Sequence, residues 1–169
     1  MRTNHFVNAV IIGLAMFILF PAINVNAVDI TPAIVVNHVE KSVQLILDKG
    51  EEEAFKLLTD PNGEWVQGDL YVFIYDLSGT VVAHLNKKLE GKNLMKFKDK
   101  NGKVFAAEFV EIARSEKGEG WCEYAWPKPG EKEASQKVSF IKRVPGKDLL
   151  VGVGVYNFSL DEAKKETGK

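Results

Sequence analysis

The segment from Tyr71 to Leu94, YVFIYDLSGTVVAHLNKKLEGKNL, most constrains what this chain can fold into. Tyr71, Phe73 and Tyr75 alternate with Leu70, Val72 and Ile74, the period-two signature of a strand with two distinct faces. Asp76-Leu77-Ser78-Gly79 supplies turn chemistry, and Thr80-Val81-Val82-Ala83 resumes a β-branched run. The pattern predicts a hairpin whose second strand delivers His84 just where the chain enters a polar loop. A histidine so placed can face a cavity as a partly buried donor, with lysines and backbone amides close by.

The flanking segments predict the other elements. Thr31 is a suitable N-cap and Pro32 suits the first helical position. Ile34, Val35, Val39, Val43, Ile46 and Leu47 then recur at helical spacing until Gly50. His38 lies in this helix and reads as a surface or boundary residue. A short helix from Glu51 to Leu58 follows, closed by Asp60-Pro61-Asn62-Gly63. After a turn at Asp99 to Lys103, Phe105, Phe109, Val110, Ile112 and Ala113 form another helical face. Three strands follow, over Trp121 to Trp126, Lys137 to Val144 and Leu149 to Tyr156. In the last, Gly152 and Gly154 leave room for a ligand or a neighbouring chain segment. The expected fold is α+β: a long N-terminal helix on a roughly five-stranded antiparallel sheet.

Arg2, an apolar run from about Phe6 to Phe20, Pro21 and then Val25-Asn26-Ala27 read as an export signal over 1–27. The alternative is an uncleaved anchor, although the run is shorter than the roughly 20 residues that span hydrocarbon comfortably. This divides the chain into a signal (1–27), one domain (28–160) and a charged tail (161–169), and places the protein in the periplasm or outside the cell. Cys122 is the single cysteine, so an intramolecular disulfide is excluded. It reads as a small buried hydrophobe, with a nucleophile or an intermolecular disulfide as the alternatives. A net charge of −1 with interleaved lysines and glutamates argues against nucleic acid, which requires a clustered basic surface. The sequence has no GxSxG, HExxH or CxxCH motif, and its three histidines, His5, His38 and His84, are too scattered for a zinc site. The expectation is a binding protein with no cofactor or metal, not an enzyme.

Five blocks in order, GDLYVFIYDLSGTVVAH, LEGKNL, GWCEYAWPKPG, QKVSFIKRV and LLVGVGVY, resemble the single Cache domain family of the second type. These are extracellular small-molecule sensors related to PAS folds, and the resemblance runs from about Thr31 to Tyr156. It implies a long helix on one face of a PAS-like sheet and, on the other, a pocket for a small organic anion such as acetate, propionate, lactate or pyruvate. It also implies a signalling context, with a membrane receptor or histidine kinase as partner. The chain is expected to resemble the stand-alone exported members, because no second apolar span follows Tyr156. It departs from the family pattern at Leu85, where a proline is common after the histidine, and at Phe140, where tyrosine is frequent. Lys137 matches a family lysine and is the expected cation for the anion; the other reading makes it an exposed strand-edge lysine. His84 supplies a ring N–H, Tyr71 or Tyr124 a hydroxyl, and Trp126 a wall with an indole donor. Asn93 either brings amides near the anion or makes the turn. A second functional class stays open, a ligand-free interaction module that forms a homodimer through its N-terminal helix.

Overall fold

The structure, a computed structural model, describes residues 29–169. The expected signal over 1–27 lies outside the described residues. Helix α1 (Pro32–Lys49) starts where expected: the Thr31 hydroxyl accepts from the Ile34 N–H at 3.4 Å, and Pro32 needs no donor there. It stops at Gly50, whose φ of +79° favours glycine and whose N–H reaches the Ile46 carbonyl at 3.0 Å. The chain turns directly into α2 (Glu51–Leu58).

A single five-stranded antiparallel sheet follows from β1 (Val72–Asp76), β2 (Val81–His84), β3 (Glu119–Pro127), β4 (Ala134–Arg143) and β5 (Leu149–Val155), in spatial order β2-β1-β5-β4-β3. Helix α3 (Phe105–Arg114) lies between β2 and β3 in the chain. The period-two alternation sorts the sheet's side chains into two cores. Val72, Ile74, Val138, Phe140, Val151 and Val153 pack with Val35, Val39, Val43 and Ile46 of α1. Tyr71, Phe73, Tyr75, Tyr124, Ile141 and Leu150 face the other way, against Phe105, Phe109 and Val110 of α3. Each face buries enough apolar surface to stabilise its covering helix at roughly 25 cal/mol per Å² removed from water.

Gly152 and Gly154 on β5 fall on the α3 side. A Cβ at Gly152 would collide with the Phe73 ring, and one at Gly154 with the Ser139 hydroxyl and the Lys137 Cε. Neighbouring side chains fill the space the glycines leave, and one of them is Lys137.

The segment expected to be a charged tail is helical instead. Helix α4 (Leu160–Thr167) starts at a capping box in which Ser159 and Glu162 satisfy each other's N–H groups. Ala163 is fully buried, and the Trp121 indole N–H donates to the Thr167 hydroxyl at 3.0 Å. Glu166 accepts from the Ala33 N–H at 3.2 Å, and Lys169 pairs with Glu119. The tail reads as solvated because the helix turns just one small residue, Ala163, fully inward, with Leu160 at its start partly buried against the same core. Among the described residues no helix is long and apolar enough to cross a membrane.

Candidate functional site

The α3-side face of the sheet is not fully covered by α3. At its open end lies a cavity of about 360 Å³ lined by Tyr71, His84, Leu85, Asn86, Leu89, Trp126 and the β3–β4 connection from Pro127 to Glu131. Sheet register builds it. Phe73 on β1 pairs with His84 on β2, so Tyr71 and His84 meet edge to face with ring centroids 5.4 Å apart. Trp126 closes the third side, 6.4 Å from the His84 ring.

His84 is buried, and its Nδ1 accepts the Asn86 N–H at 2.8 Å. Burial, then the Lys137 and Lys87 charges, push its pKa down to about 3. The ring is therefore neutral at neutral pH. With Nδ1 engaged as an acceptor, the proton sits on Nε2, which becomes a fixed donor.

Lys137 is the unusual group. Its side chain is fully buried, which rules out the exposed strand-edge reading. Its Nζ lies 3.9 Å from the Tyr71 ring centroid, 5.4 Å from that of Tyr156 and 5.6 Å from that of Phe73. Among the described residues it is the one buried side-chain nitrogen or oxygen without a hydrogen-bond partner. Burial lowers its pKa to about 7 against a weaker opposing pull from Asp69. Three aromatic faces offer a cation roughly 0.5–2 kcal/mol each. An unpaired buried ion loses several kcal/mol of hydration, so the cage is poor compensation.

Tyr71 is common to the cavity and the cage: it lines the first, and its ring covers the ammonium. Burial raises its hydroxyl pKa to about 12, which keeps it a neutral donor. Tyr156 closes the cage from the end of β5 and donates to the Pro127 carbonyl at 2.8 Å. From the sequence Tyr156 reads as a packing residue; its contact with the β3–β4 connection is long-range and leaves no local signal.

Tyr71, His84 and Trp126 thus meet at the cavity, with Lys137 behind Tyr71. Two expected residues do not join them. Tyr124 stacks on Phe105 with centroids 4.7 Å apart, and its hydroxyl is engaged by Ser139 at 3.1 Å. Asn93 makes the turn: its Nδ2 donates to the Ser78 carbonyl at 2.8 Å, and its Oδ1 accepts from the Met95 N–H at 3.1 Å. Phe140 faces α1, so its departure from the family tyrosine does not touch the cavity, whereas Leu85 does line it. Cys122 is buried as expected, and burial raises its thiol pKa. His38 is half-buried at the boundary, with Nε2 3.3 Å from the Trp65 carbonyl. Sequence reasoning missed Asn86, which orients His84, and Lys128. The Lys128 ammonium lies 3.9 Å from Asp69 and 5.5 Å from the Tyr156 ring centroid. The Pro127-Lys128-Pro129-Gly130 string reads as a turn, and nothing in it announces a cavity wall. Among the described residues no cluster of histidine, cysteine and carboxylate side chains could hold a metal ion.

Comparison with known proteins places this geometry in context. The Cache domain family profile matches residues 25–167. Over 89 residues, 52% of this chain, the sequence is 35% identical to the methyl-accepting chemotaxis protein McpP of Pseudomonas putida and 32% identical to the sensor histidine kinase MctS of Rhizobium johnstonii. The matched segment is only 16% and 19% of the length of those two proteins. Among solved structures, a Cache chemosensory domain whose structure addresses carboxylic acid recognition superposes with a TM-score of 0.65 at 25% identity, covering 73% of this chain and 91% of that one. A methyl-accepting chemotaxis protein from Vibrio parahaemolyticus gives 0.62 at 25% identity, covering 72% and 85%.

Proposed function

Because the chain belongs to the Cache domain family, we propose that it is a sensor module whose cavity binds a short-chain carboxylate, of the acetate, propionate, lactate or pyruvate class, without transforming it. The observation that carries this reading is the buried, partnerless ammonium of Lys137 beside a neutral histidine donor. An anion supplies what the ammonium lacks. One carboxylate oxygen would pair with Lys137 and the other accept from His84 Nε2 or the Tyr71 hydroxyl, each charge-assisted bond contributing about 1.5–3 kcal/mol. The apolar remainder of the ligand would lie against Trp126 and Leu85. For Lys137 to reach the cavity the Tyr71 ring must shift, which makes Tyr71 the natural reporter of occupancy.

The relatives set the wider context. A chemotaxis protein and a sensor kinase carry segments like this one, and a related domain is a periplasmic sensor domain of a chemotaxis protein. Both facts support a periplasmic or extracellular domain that passes its ligand state to a receptor or kinase.

Thermal unfolding of the full chain against short mono- and dicarboxylates, amino acids and polyamines tests the reading. At a concentration about 100-fold above Kd, linkage adds roughly 2.7 kcal/mol, a shift of about 5–10 °C for a domain of this size. The expected result is a shift with short monocarboxylates that disappears in Lys137→Met. A flat response would favour a ligand-free interaction module, with Leu47 on α1 and Leu57 on α2, 43% and 40% exposed, as the first surface to test.

A further inference from the structure

Building on the carboxylate reading of the cavity, we infer that Lys137 makes capture proton-coupled: the anion enters together with one proton, so the site responds to the product of anion and proton activities. The geometry carries this. Nζ is sealed from water and faces three aromatic rings, and among the described residues no carboxylate lies within salt-bridge distance of it. In the free protein nothing but those rings and a remote acid holds the charge, so the amine gives up its proton readily. A carboxylate arriving beside Nζ supplies the missing counter-charge and hydrogen-bond acceptor, and holds the proton in place. Neutral amine, proton and anion become an ammonium–carboxylate pair with no net charge, and no bond other than N–H is formed.

The groups facing Nζ do not supply a competing titration. Tyr71 immediately before β1, Tyr156 after β5 and Tyr124 opposite Lys137 on β3 all have hydroxyl pKa values raised by burial and stay neutral. His84, at the end of β2, has its pKa pushed to about 3 and stays neutral above it. Asp69, just before β1, is the one carboxylate whose field reaches Lys137, and it also lies 3.9 Å from Lys128. Helix α3 presents Phe105, Ala106, Phe109, Val110 and Ala113, with Ile112 beside them, to the same core, and none of these titrates. Lys137 is left as the group whose proton follows the ligand, and its pKa of about 7 in the free protein puts the coupling in the neutral range.

Isothermal titration of the full chain with sodium acetate, propionate, lactate and pyruvate tests this, at about pH 6 and about pH 8.5, in two buffers of different ionisation enthalpy. Those ligands are ionised throughout, so any pH dependence belongs to the protein. Binding is expected to weaken roughly 30-fold between the two pH values, with close to one proton taken up per ligand at the higher pH and almost none at the lower. Equal Kd and no proton uptake at both pH values, with binding intact, would overturn the coupling and leave the carboxylate reading standing. No binding of any of the four at either pH would remove the carboxylate reading and the coupling with it.

Discussion

An ammonium with no acceptor inside a folded core weakens the fold that holds it, and Lys137 shows how much is at stake at the scale of one residue. Its loss of hydration is opposed by the cation–π contacts with Tyr71, Tyr156 and Phe73 and by the weaker, remote pull of Asp69. The first term is several kcal/mol and the second at most about 2 for the closest ring, so hydration wins. Lys137→Met, which fills similar volume without charge, is therefore expected to stabilise the ligand-free protein by about 1–4 kcal/mol while abolishing its response to carboxylates. Urea unfolding with and without ligand measures both; a loss of stability above about 1 kcal/mol would make Lys137 a structural residue instead. The same residue shows what sequence reading can and cannot reach. The position of His84 at the end of β2 and on the cavity wall is legible because a strand pattern ends on it, whereas the full burial of Lys137 is not, since a lysine on a strand reads equally well as exposed. The partner of Tyr124 is not legible, because a hydroxyl meeting Ser139 across a strand pair depends on register that residue type does not encode, whereas Asn93 takes the turn role that was one of its two readings.

At the scale of elements, local rules predict well where they are strong. The cap and proline of α1, its apolar spacing and the glycine that ends it all agree, and so do the alternations of β1 and the turn after it. They fail for α4, whose inward face is Ala163 with a half-buried Leu160, although Ser159 and Glu162 at capping-box spacing were there to be read. That box and the Trp121–Thr167 bond hold α4 beside α1 and β3, on the opposite side of the sheet from the cavity. Ser159→Ala should then destabilise the protein by about 1 kcal/mol and leave carboxylate binding unchanged. Urea unfolding followed through tryptophan fluorescence reads the first effect and ligand titration the second. Altered binding would mean that α4 communicates with the cavity through the sheet. The β3–β4 connection was legible as a turn but not as a wall, since its role depends on the Tyr156 contact made 29 residues further along the chain.

For the whole molecule, the buried titratable groups combine into an unusual dependence of stability on pH. His84 has a folded pKa near 3, below its ordinary 6.5. As pH falls below 6.5 the unfolded chain binds a proton the folded chain refuses, so stability is lost downward from there. Asp99 adds to this below about pH 4: burial would raise its pKa, but the Ala125, Lys103 and Asn101 N–H groups more than offset that and hold it low. Lys137 acts on the other side. Its folded pKa of about 7 lies below the ordinary 10.5, so between those values the folded chain has released a proton that the unfolded chain keeps. Stability of the ligand-free protein must then rise with pH across that window, by up to something on the order of 4 kcal/mol. Above about pH 9 the buried Cys122 thiol resists an ionisation that the unfolded chain accepts and offsets the rise, and above about pH 10 Tyr71, Tyr124 and Tyr156 do the same and reverse the trend. The ligand-free protein should thus be most stable near pH 9–10, well above the usual optimum of about 5–8. A saturating carboxylate, by holding the Lys137 proton in the complex, should flatten the rise above pH 7. Urea unfolding at intervals from pH 5 to 10, with and without acetate, measures both curves. A ligand-free optimum near pH 6–7 would mean that the buried ammonium keeps its proton through the neutral range.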